Sequence, residues 1–96
     1  MSFRTKLSQA IEINSSLLCV GLDIDNRRIS KENIFEFNKT IVNSTQRYCS
    51  AYKINLSFYE SFGSDGYKAM EQTIEFIKEN TPTKLLIADG KRGDIP

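Results

Sequence analysis

The sequence predicts an α/β fold built on a parallel sheet. Short apolar runs at 17–23, 51–56 and 85–88 have the length and character of strands. Segments with apolar residues at helical spacing lie between them. Charged residues stand at the ends of the first and third runs, which is the side on which α/β proteins keep their chemistry, and one lysine lies inside the second.

Residues 2–13 read as a short amphipathic helix. Ser2 is placed to cap it, and Phe3, Leu7, Ala10 and Ile11 recur along one side. Asn14, Ser15 and Ser16 end it. Residues 17–23 form the first strand, a continuous apolar run closed by Asp23. A polar loop with Arg27 and Arg28 follows; two arginines in a loop are ordinarily just solvated, and they receive no role. Ser30 caps a helix running to about Tyr48, with Ile34, Phe37, Ile41 and Val42 on its buried side. In the second strand Tyr52, Ile54 and Leu56 share one face, and Lys53 and Asn55 the other. A second long helix starts near Ser64, with Tyr67, Met70, Ile74 and Ile77 in one stripe. Asn80, Thr81 and Pro82 stop it, and Leu85 opens the third strand. Strands alternating with helices imply parallel pairing through right-handed crossovers.

Composition narrows the function. A chain of 96 residues with 40% hydrophobic and 26% charged content makes one small soluble domain. Its net charge of +1, with no basic cluster, gives no footprint for nucleic acid. No run is long enough to cross a bilayer, and the N-terminus lacks the apolar core of a signal peptide. Cys19 and Cys49 lie in apolar segments without paired-cysteine spacing, so both are expected as buried free thiols. These features place the protein in the cytoplasm. Histidine is absent, which removes the usual general base and the commonest metal ligand.

Three strand ends carry the candidate chemistry. Asp23 fits a helix cap, a solvated turn, or a carboxylate that binds sugar hydroxyls with two hydrogen bonds. Lys53 sits inside a strand pattern, where burying an unpaired charge is costly. It reads either as the guard of an edge strand or as a lysine paired with carboxylates. Asp89 and Lys91 are two residues apart and so project from one face of an extended chain, with Asp94 just beyond. A solvated strand end fits this cluster equally well from pattern alone.

The spacing Asp89-x-Lys91-x-x-Asp94, followed by Ile95, resembles the signature of the orotidine 5′-phosphate decarboxylase family. Asp23, Lys53, Asn55, the run Phe58-Tyr59-Glu60 and Gly63 are similar to its bacterial, longer-chain branch. The resemblance implies a (β/α)8 barrel, of which this chain supplies the first three βα units and an N-terminal helix closing the bottom. The whole of 1–96 is then the N-terminal part of one barrel domain, truncated after strand 3. A complete barrel needs roughly 200 residues or more, and its phosphate grip lies around the seventh and eighth strands. The 96 residues alone are therefore expected to have little or no activity, with open edges at the first and third strands.

The resemblance also implies roles. Lys53, Asp89, Lys91 and Asp94 form an alternating catalytic array, with Lys91 as proton donor. Asp23 and Lys53 bind the substrate, Asp23 holding the ribose and Lys53 lying between carboxylate and ribose. Asp94 reaches the active site of a partner subunit, making the complete enzyme a homodimer. No metal, flavin or pyridoxal cofactor is implied, and the only small-molecule partner is orotidine 5′-phosphate. Unlike charges ~4 Å apart attract by roughly 4 kcal/mol at an effective dielectric of about 20, so such an array fixes its own geometry. Magnesium-dependent sugar-phosphate enzymes such as hexulose-phosphate synthase share Asp-x-Lys-x-x-Asp but usually carry glutamate on the second strand. Lys53 and the Ile95-Pro96 ending favour the nucleotide decarboxylase. A non-catalytic nucleotide-binding fragment is the third reading.

Overall fold

The computed structural model of the chain describes residues 2–23 and 30–90. Helix α1 (Phe3–Asn14) precedes strand β1 (Cys19–Gly21). A 3-10 turn (Lys31–Asn33) leads into α2 (Ile34–Thr45) and then β2 (Ala51–Asn55). A short α3 (Leu56–Glu60), the long α4 (Ser64–Asn80) and β3 (Leu85–Asp89) complete the order. The sheet runs β1-β2-β3 with both pairings parallel, so β1 and β3 are its outer strands. The structure thus has the expected alternation, and the stretch between Ile24 and Ile29, which includes Arg27 and Arg28, lies outside the described residues.

Helix ends follow local chemistry. The Thr5 N–H donates to the Ser2 hydroxyl at 3.2 Å, which starts α1 as expected. Ser15 ends it in the left-handed region at φ 51°. Asn14 donates from Nδ2 to the Thr83 carbonyl at 3.1 Å, and Lys84 donates to Asn14 Oδ1 and to the Cys49 carbonyl. These bonds fasten α1 to the amino end of β2 and β3, the end opposite the charged strand termini.

The core lies between one face of the sheet and α2, α3 and α4. Leu22, Tyr52 and Ile54 on the sheet meet Ile34, Val42, Tyr59, Ala69 and Ile77, all buried. Two expected core residues stand elsewhere: Phe37 and Tyr67 are each 44% exposed. The buried positions of α2 are Ile34, Asn38 and Val42, and those of α4 are Gly66, Ala69, Thr73 and Ile77. Small and polar side chains occupy the inner line because the helices approach one another and α3 closely there. A Cβ on Gly66 would lie 1.9 Å from the Tyr59 carbonyl oxygen, so only glycine permits this approach.

Continuous apolar runs such as 17–22 and 85–88 are expected in strands buried on both faces, and that burial is not observed. Cys19, Gly21 and Ala88 are exposed, Val20, Leu85, Leu86 and Ile87 are half-buried, and Leu17 and Leu18 are exposed short of β1. The helices cover one face of the sheet, and the opposite face retains access to solvent. This corrects the expectation for the cysteines too: Cys49 is buried, but Cys19 is exposed on the open face. Among the described residues no helix is long and apolar enough to cross a membrane.

Candidate active site

Parallel pairing sets which side chains share a face. Residues i and i+2 of one strand point the same way, as do partners in register. The Tyr52 hydroxyl bonds to Thr45 Oγ1 at 2.9 Å and to the Val42 carbonyl at 3.2 Å, which fixes Tyr52 and Ile54 on the helix side. Lys53 and Asn55 therefore face the open side, half-buried. Lys53 is in register with Gly21 of β1 and Ile87 of β3, and Asn55 with Asp89. Strand spacing and rise then put the Lys53 and Asp89 Cα atoms about 8 Å apart on a diagonal, within reach of a lysine stem.

Asp23 joins this row from the other side. Its N-terminal neighbour Leu22 donates its N–H to the Lys53 carbonyl at 2.9 Å, which extends β1 along β2 past Gly21. A Cβ placed on Gly21 would lie 3.7 Å from Asp23 Oδ2 and 4.0 Å from Lys53 Cε. The missing side chain leaves room in which the Asp23 carboxylate and the Lys53 stem converge over the β1 backbone. Asp23 is exposed, and Asp89 is half-buried at the carboxyl end of β3. The structure thus gathers Asp23, Lys53 and Asp89 on one face at one rim. Lys91 and Asp94 lie outside the described residues.

Local sequence explains why the rim is well defined. Asn55 ends β2 and caps α3 at once, its Oδ1 accepting from the Phe58 N–H at 3.4 Å. The turn from strand to helix therefore begins two residues after Lys53. Partial desolvation raises the exposed Cys19 thiol above its usual range, opposed in part by the Lys53 ammonium and reinforced by Cys49. A cation close to Cys19 agrees with Lys53 standing on the open face.

Tyr59 is a site-adjacent residue that the pattern reading did not single out for a role. It is fully buried, and its hydroxyl donates to the Leu22 carbonyl at 2.7 Å. Asn38 donates from Nδ2 to that hydroxyl at 2.8 Å and to Thr73 Oγ1 at 3.0 Å. Asn38, a polar residue spaced four from Ile34 and four from Val42 on the same side of the helix, was the available signal. Burial pushes the Tyr59 phenol up to about 12, with Asn38 lowering it and the nearby Asp23 charge raising it. Burial likewise raises Tyr52.

A raised phenol favours the protonated folded state, so its contribution is present below the ordinary value of 10.0 and is lost as pH rises through about 12. Urea unfolding should therefore give a lower midpoint at about pH 11 than at about pH 9, and Tyr59→Phe should reduce that difference.

Comparison with known proteins adds lineage to this geometry. The profile of the orotidine 5′-phosphate decarboxylase / HUMPS family matches residues 16–96. The orotidine 5′-phosphate decarboxylase of Phocaeicola vulgatus is 48% identical over 96% of this chain and 36% of its own length. That of Bacteroides fragilis is 49% identical over the same shares. The solved structure of Leishmania donovani OMP decarboxylase superposes with a TM-score of 0.78 and 35% identity, covering 100% of this chain and 36% of that one. The chain spans about a third of the length of the curated relatives it matches.

Proposed function

Because the chain belongs to the orotidine 5′-phosphate decarboxylase / HUMPS family, we propose that it is the N-terminal part of a single (β/α)8-barrel domain that converts orotidine 5′-phosphate to UMP and carbon dioxide. The observation that carries this reading is Lys53 in register with Gly21, on the same open face as Asp89 and beside Asp23. The family also includes sugar-phosphate enzymes, whose second strand usually presents glutamate. A lysine at that place suits a nucleotide substrate with a carboxylate on its ring.

In the proposed reaction the bond between the ring carbon and the carboxylate breaks. Carbon dioxide leaves, and the electron pair stays on the ring carbon. The Lys91 ammonium stabilises that carbanion and gives it a proton, yielding UMP and a neutral amine that solvent reprotonates. Asp89 crowds the departing carboxylate, and Lys53 lies between carboxylate and ribose. Asp23 accepts hydrogen bonds from the ribose hydroxyls. Asp94 completes the site of a partner subunit, so the whole enzyme is a homodimer, and it works in the cytoplasm. The reaction asks for a permanent ammonium donor rather than a group that titrates near neutrality.

Three strands present only part of such a site. In barrels the phosphate is held around the last two strands, and binding a remote phosphate normally drives the chemical step. The test joins residues 1–96 to the remaining two-thirds of the Phocaeicola vulgatus enzyme. The completed enzyme should release carbon dioxide from orotidine 5′-phosphate at the same rate with or without a metal chelator. Turnover that requires magnesium would move the chain to the sugar-phosphate branch.

A further inference from the structure

We propose that Tyr59, held by Asn38, is a positioning residue that sets Asp23 and Lys53 relative to each other through the Leu22 backbone. The inference rests on the roles given above to Asp23 and Lys53. Leu22 lies immediately before Asp23, and both of its backbone polar groups are engaged. Its N–H donates to the Lys53 carbonyl at 2.9 Å, and its carbonyl accepts from the Tyr59 hydroxyl at 2.7 Å. One residue's backbone thus ties the exit of β1 to the backbone of Lys53 on one side and to α3 on the other.

The direction of every bond in this network is determined. The Leu22 carbonyl can only accept, so the Tyr59 hydroxyl donates its single hydrogen there. That hydroxyl must then accept from Asn38 Nδ2 at 2.8 Å. Thr73 donates to the Ala69 carbonyl at 2.8 Å and so accepts the second Asn38 hydrogen at 3.0 Å. The chain of bonds links α4, α2, α3 and the end of β1 without freedom to reverse, and fixed donors of this kind are what hold a reactive geometry in place.

Core stability alone is a poor explanation for it. Asn38, Thr73 and Tyr59 are all at most 1% exposed. Among the described residues Asn38 Oδ1 is buried with no hydrogen-bond partner, a liability that an apolar side chain of similar size would remove. What the amide gives in return is the orientation of the Tyr59 hydroxyl. Burial keeps that phenol protonated, and hence a donor, well above neutral pH. Tyr59 also feels the Asp23 carboxylate, which places the two near each other.

The experiment is a double-mutant cycle in the completed enzyme. Tyr59→Phe removes the hydroxyl, and Asp23→Asn weakens the proposed ribose contact. Tyr59→Phe should lower kcat/KM between about tenfold and about a hundredfold, the range expected for misplacing a contact by about an ångström. Added to Asp23→Asn it should lower kcat/KM little further, because both changes act on the same contact. Asn38→Leu, which fills the space with an apolar side chain and is expected to fold, should lower kcat/KM less than Tyr59→Phe does, with the same non-additivity. Unchanged kcat/KM in Tyr59→Phe and Asn38→Leu, or full additivity with Asp23→Asn, would overturn the inference. If Asp23→Asn alone leaves kcat/KM unchanged, the ribose assignment fails first, and this inference fails with it.

Discussion

Replacing Lys91 with alanine in the completed enzyme will remove turnover and leave the fold intact. Loss of a positioned proton donor costs about 10²–10⁴ in rate, and loss of charge stabilisation for a carbanion adds to that. Lys53→Ala should follow with a smaller defect of about 10²–10³ in kcat/KM, since in the proposed site it removes one member of the electrostatic array and one substrate contact. The position of Lys53 is the basis of the second half of this expectation. Lys53 stands on the open face, between Gly21 and Ile87 in register, and its stem converges with Asp23. Steady-state rates on both variants, with circular dichroism to check folding, decide the matter. A non-catalytic nucleotide-binding fragment would tolerate both changes, so activity close to that of the parent enzyme would favour that reading.

The largest effect on stability is expected at Gly66. An added methyl group would meet the Tyr59 carbonyl oxygen at 1.9 Å, the Phe62 Cβ at 2.8 Å and the Tyr59 carbonyl carbon at 3.0 Å. Two of those atoms are backbone, so no rotamer change relieves the clash. Helix α4 would have to back away from α3, opening the core around Ala69 and Tyr59. Overpacking of this kind costs roughly 3 kcal/mol or more where the backbone cannot yield. Gly66→Ala should lower the urea midpoint by more than Tyr59→Phe does. It should also loosen the hydroxyl contact to Leu22, because that contact depends on where α3 sits. A midpoint unchanged by Gly66→Ala would mean that α3 and α4 are not packed as described.

The sheet and the long helices could be read from the sequence because their signals are periodic. Apolar runs of strand length alternate with amphipathic segments, and capping residues such as Ser2 and the Thr81-Pro82 stop stand where the helices begin and end. The face assignment of Lys53 and Asp89 was equally legible, since a period of two leaves no other choice once Tyr52 and Ile54 are buried. Hydrophobicity was a worse guide to the inner line of the helices. Close approach selects small residues, and a buried hydrogen-bond network selects polar ones, so Gly66, Thr73 and Asn38 took places that Tyr67 and Phe37 were expected to fill. Helix α3 was hidden for a similar reason. Five residues carry too little periodicity to read, and its start depends on the Asn55 cap. The exposed Cys19 shows that an apolar run does not reveal how many faces of a strand are covered.

The central claim is that charged tips from neighbouring strands meet at one rim around a nucleotide. A crystal structure of the completed enzyme with UMP bound tests it most directly. The account predicts Asp23 and Lys53 within hydrogen-bond distance of the ribose, with the Lys53 ammonium also paired to Asp89. A nucleotide seated at the amino end of the strands, or Lys53 turned away from it, would contradict the account.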